Sequence, residues 1–194
     1  MSYSDRFSAC YLRAVRSEIV IGLLTDLATA TGMSLTFPGT SSVAIISDCG
    51  EQSMISIDEF MQFVNDSPVV RFQYWWSDAD DVYCRLQREY DLTCLEFALE
   101  GTTTEQEQKI WDCLKPLFIS LTEHSVALLL ILDRIGRTFE YQWKEIALGQ
   151  IQLVGPYPDE MIVPTTFECL KSLDATQMQC IQLTPRAIAI RSTM

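Results

Sequence analysis

Histidine is almost missing from this chain: His124 is the only one among 194 residues. That count excludes a histidine-rich metal centre, and it leaves one candidate for the base that a catalytic serine or cysteine normally needs. No G-x-S-x-G motif supplies such a nucleophile. Glycine is scarce at eight residues, and no G-x-G-x-x-G occurs. Gly39-Thr40-Ser41-Ser42 has no lysine after it, so it is not a phosphate-cradling loop. The seven cysteines (Cys10, Cys49, Cys84, Cys94, Cys113, Cys169, Cys180) include no C-x-x-C pair, the usual signal for structural zinc or thiol redox chemistry. Most sit among apolar neighbours, where a free thiol acts as a small hydrophobe. Long apolar runs are absent as well. The N-terminus has no core of signal-peptide length, and Val126 to Leu132 is too short to span a bilayer. A reduced, cytoplasmic protein that binds no cofactor and no metal is the expectation.

Positive charge is the other shortage. Fourteen Lys and Arg face 26 Asp and Glu, giving a net charge of −12 and a pI near 4.4. Binding to nucleic acid or to an anionic membrane surface depends on clustered cations, so both are disfavoured. A basic protein partner is favoured, because opposite fields speed encounter. From Glu18 to Asp81 there are ten acids and a single base, Arg71. Such a run either solvates one face or docks a cation-rich partner.

With 48% apolar and 21% charged residues the chain is globular in composition, and its length suits a single domain 1–194, with 1–68 and 69–194 as candidate sub-halves. Residues 17–31 read as an amphipathic helix with Ser17 as N-cap and Gly32 after its end. Met33–Phe37 and Val43–Ser47 read as a strand pair around Pro38-Gly39, and Ile57–Val64 as a short helix opened by Ser56 or Ile57. Val69–Trp76 and Val82–Arg88 form a predicted hairpin across Ser77-Asp78-Ala79-Asp80-Asp81, since Ser and Asp side chains favour turns. Leu92–Leu99 continues as a strand with Leu95, Phe97 and Leu99 on one face; 89–91 is a turn or a bulge. Thr104 opens a helix with Ile110, Leu114, Leu117 and Leu121 on its apolar stripe. Val126–Leu132 follows as a buried strand. This order predicts an α+β fold: antiparallel sheet with helices packed on one side, built from two ββαβ-like halves. Phe139–Leu148 fits either period. Ile151–Val154 reads as a strand, 155–158 as a loop, Phe167–Leu173 as a helix, and Cys180–Ile190 as a strand interrupted by Pro185.

The candidate site is the stretch YWWSDADD. On a strand Trp75 points opposite to Tyr74 and Trp76, so it is expected to face outward beside Asp78, Asp80 and Asp81. An aromatic ring among polar groups is the make-up of interface hot spots. Asp58 and Glu59 join it as partner-binding acids. The resulting expectation is a non-catalytic binding module that neutralises a basic partner, as a cytosolic inhibitor or immunity-type protein does to a toxin or nuclease. The same acidic face can also pack against the basic part of a second copy. The alternative is a small enzyme or ligand-binding domain holding a divalent cation on Asp78, Asp80 and Asp81, oxygen ligands that suit Mg²⁺ or Ca²⁺, with His124 as base. Glu89, Asp91, Glu96 and Glu100 are the candidates for a catalytic carboxylate pair.

Overall fold

The structure, a computed structural model, describes residues 5–138, 140–167, 173 and 176–193. Its elements run Phe7–Arg13 (β1), Ser17–Thr31 (α1), Ser42–Ile46 (β2), Gln52–Ser56 (β3), Ile57–Asp66 (α2), Val69–Trp75 (β4), Asp81–Arg88 (β5), Leu92–Ala98 (β6), Thr104–Glu123 (α3), Ala127–Asp133 (β7), Trp143–Ala147 (α4), Glu160–Pro164 (β8), Met178–Thr184 (β9) and Ala187–Ser192 (β10). All ten strands join one antiparallel sheet in the order β3-β2-β4-β5-β6-β1-β7-β8-β10-β9. The α+β expectation holds, and a single sheet runs through both candidate sub-halves.

Alternation along the central strands explains why the sheet has cover on both faces. In β6, Leu95 and Phe97 enter one core, and Leu92 and Cys94 enter the other. In β1, Cys10 and Leu12 face the first core while Phe7, Ala9 and Tyr11 face the second. The seven residues of β7, ALLLILD, are all buried. A strand buried on both sides needs packing above and below it. The three long helices cover the first face through Leu24 and Leu27 of α1, Phe60 and Val64 of α2, and Ile110, Leu114 and Phe118 of α3. The short helix α4, with Trp143 and Ile146, covers part of the second face together with Leu153 and Tyr157.

Local chemistry sets the helix ends. Ser56 and Glu59 form a reciprocal capping box on α2, and Thr103 and Gln106 form another on α3. At α1 the N-cap is Arg16 rather than Ser17. The Ser17 hydroxyl instead accepts from Arg88 at 2.7 Å, and Arg88 also donates to the Asn65 and Ser67 carbonyls, tying the start of α1 to the end of α2. Gly32 closes α1 at φ 71°, in the left-handed region that glycine enters without strain. Helix α3 continues through Pro116 and ends at His124.

Several expectations need correction. Met33–Phe37 is not a strand but a segment making two isolated bridges, Ser34 to Trp75 and Thr36 to Val43; the regular partner of β2 is β3. Of the two readings of 89–91 the turn is the one formed, closed by the Glu89 amide donating to the Leu92 carbonyl. Ile151–Val154 is irregular chain whose Leu153 fills the second core. Pro185 lies in the turn between β9 and β10, since proline cannot serve a ladder interior. Most of the expected helix at Phe167–Leu173 lies outside the described residues. No helix among the described residues is long and apolar enough to cross a membrane.

Candidate binding surface

The hairpin tip is a closed polar turn. The Trp76 amide donates to the Asp80 carbonyl at 2.9 Å, and the Ser77 hydroxyl donates to the Asp80 carboxylate at 3.1 Å. Asp81 accepts from Gln73 Nε2 at 2.6 Å across the strand pair. Asp80 and Asp81 thus have separate local partners; Asp78 and Asp80 are exposed and Asp81 is half-buried. Among the described residues no group of three His, Cys, Asp or Glu side chains is placed to hold a metal ion.

His124 stands far from this tip. Strand register puts Trp75 and Asp81 at the same end of the sheet as Phe7 and Asp133, whereas Ala127, three residues after His124, pairs with Leu12 at the other end. The length of a seven-residue strand, about 20 Å, separates them. The metal-and-base arrangement is therefore not assembled. Of the carboxylate-pair candidates, Glu89 and Asp91 share the turn before β6 near Lys144, while Glu96 and Glu100 lie apart from them. Glu89 is held by Lys144, which keeps its carboxyl below the usual range. Glu96 lies mid-strand on the second sheet face, and Glu100 is exposed in the turn before α3.

Trp75 corrects the outward assignment. It does point opposite to Tyr74, but it is only 7% exposed. The Phe37 ring covers it edge-on at 4.9 Å between centroids, and Ser34 exchanges two backbone hydrogen bonds with it at 2.7 and 2.9 Å. The segment 33–37, wedged between β2 and β4, is what buries it. A solitary strand pattern gives no sign of such a cover.

What the structure does bring together are the acids. Asp58 and Glu59 occupy the first turn of α2, directly after Ser56, which pairs with Ser42; Ser34 and Thr36 bridge the gap to Trp75, the neighbour of Asp81. Both acidic groups thus sit at one end of the β3 side of the sheet. Glu59 keeps a lowered carboxyl pKa because the Ser56 hydroxyl and amide both donate to it. Of the ten acids from Glu18 to Asp81, nine are exposed, and the single base among them, Arg71, is bonded to Asp48.

One aromatic residue of this surface escaped the sequence reading. Phe63 of α2 is 44% exposed between Glu59, one turn before it, and Asp66. The signal was present: Ile57, Phe60, Met61 and Val64 define the buried stripe at helical spacing, and Phe63 lies about 100° off its centre.

Comparison with known proteins returned no matching family model, no similar curated protein and no similar solved structure.

Proposed function

We propose that this protein is a non-catalytic acidic binding module that occupies a basic protein partner, in the manner of a cytoplasmic inhibitor or immunity-type protein acting on a toxin or nuclease. The docking surface is the β3 side, comprising the exposed face of α2 with Asp58, Glu59, Phe63 and Asp66 and the hairpin tip with Asp78 and Asp80. The observation that carries this reading is the run from Glu18 to Asp81, in which nine of ten carboxylates are exposed and the single base, Arg71, is paired to Asp48. Unpaired charge of one sign raises the encounter rate with its opposite and repels acidic competitors. Phe63 supplies the aromatic anchor that charge alone lacks. The described cysteines are all free, as in proteins of a reducing compartment.

The test is capture of partners from the source lysate by tagged wild-type protein and by a variant carrying D58N, E59Q, D78N and D80N. Washes at about 50 and about 500 mM salt bracket strong and weak screening. The reading predicts one stoichiometric basic protein, held at low salt, weakened at high salt and lost from the variant. A partner retained equally by the variant, or no basic partner, contradicts it.

A further inference from the structure

Where the 140–145 segment meets the second face of the sheet there is a cleft of about 430 Å³, within the roughly 300–1,000 Å³ of small-molecule sites. Phe7 and Tyr11 of β1, Arg85 of β5, Glu96 of β6, Tyr141 and Trp143 line it. Arg85 and Glu96 are direct cross-strand neighbours on the same face, so their Cβ atoms are about 5 Å apart. No ion pair closes between them. Neither side chain has a hydrogen-bond or ion-pair partner among the described residues, and the Arg85 Nε is buried without one. Burial raises the Glu96 carboxyl, with the Arg85 guanidinium pulling the other way.

The neighbouring cations are already satisfied and do not serve Glu96, and the other acids lining the cleft, Glu140 and Glu145, form no ion pair with Arg85 among the described residues. Lys144 is held by Glu89, and Arg71, across the strand pair from Arg85, is held by Asp48. Buried polar groups left unpaired in a folded protein are few, and each calls for a partner. An ammonium group would serve Glu96 and leave Arg85 unpaired. A carboxylate or phosphate would serve Arg85 and face Glu96 at close range. A ligand that satisfies both offers an acceptor and an N–H donor side by side, which is the edge of an amide. The walls favour a flat ring: Tyr141 and Trp143 lie 5.5 Å apart and tilted at 42°, with Tyr11 and Phe7 beside them.

We propose that this cleft binds a small planar molecule through an amide or lactam edge, its carbonyl accepting from Arg85 and its N–H donating to Glu96. A lactam heterocycle and a ring carboxamide present the same edge, so calorimetric titration uses guanosine for the first and nicotinamide for the second. Nicotinic acid, which replaces the N–H donor with a carboxylate oxygen, is the control. The expected result is saturable binding of at least one probe with a Kd below about 1 mM, no binding of nicotinic acid, and affinity at least tenfold weaker in both Glu96→Leu and Arg85→Leu. Glu96→Leu is expected to keep or raise the melting temperature, because it removes an unpaired half-buried carboxylate; Glu96→Gln carries the same binding test if the leucine variant folds poorly. Absence of saturable binding by either probe overturns the proposal. So does binding that survives both substitutions.

Discussion

In the run from Glu18 to Asp81 nine of the ten carboxylates face solvent, whereas beyond β6 several acids are sealed or matched. Glu107 is 1% exposed and meets both Arg6 and Arg134. Asp133 is fully buried and accepts from the amides of Ile135, Gly136, Arg137 and Thr138 and from the Thr138 hydroxyl. Glu123 and Glu160 each lie beside an arginine. The same side chain is thus used in two ways. Inside, a carboxylate is tolerated because several donors replace its water, and it then fixes local backbone. Outside, a row of them serves the fold only through local contacts such as the Glu59 cap, and creates a field that another molecule can feel.

Substitutions that exchange these roles break or sharpen the contrast. Asp133→Ala has the largest expected effect. It leaves four amide N–H groups without their acceptor in a partly buried turn and empties a fully buried site, so the loss is about 2–4 kcal/mol by chemical denaturation. Gly136, whose φ is 74° and whose added Cβ would lie 2.6 Å from Asp5, depends on the same turn. Trp75→Ala follows, at about 3 kcal/mol, because it empties space under Phe37; a loss below about 0.5 kcal/mol would restore Trp75 to the surface. Glu107→Ala should cost about 1–3 kcal/mol, moderated because Arg6 and Arg134, both partly exposed, regain water.

Glu96 lies between the two classes, half-buried and unmatched. A carboxyl whose pKa is raised by folding binds its proton more tightly in the folded state, so stability falls as pH rises from its unfolded to its folded pKa. Melting curves between about pH 4 and about pH 7 should therefore show Glu96→Gln gaining on the wild type as pH increases above the ordinary glutamate range. Equal slopes in the two proteins would remove burial as the cause. The smallest effect belongs to the exposed acids: D78N with D80N should move stability by no more than about 0.5 kcal/mol.

Much of this contrast was legible in the sequence, and some was not. The charge run from Glu18 to Asp81 was plain, and its exposure follows from helices α1 and α2 spending their apolar stripes on the core. The 69–98 strands and α3 were readable because alternation, Asp-rich turns and capping residues agreed there. Strand β3, QSMIS, went unseen because an edge strand exposed along most of its length carries no apolar alternation. Strand β1, FSACYLR, was missed for the opposite reason: buried by β6 and β7, it has no polar face to mark its period. The cleft at Arg85 and Glu96 depends on strand register and on the 140–145 segment folding back, both non-local facts. Phe63 was readable but unread.

The measurement closest to the central claim compares association rates of the captured basic partner with two charge-matched variants, D78N/D80N on the β3 side and E105Q/E123Q on α3. The account predicts that at low salt the first variant associates several-fold more slowly with a flattened salt dependence, while the second matches the wild type within error. Equal slowing of both would mean that total charge, and not the β3 side, attracts the partner.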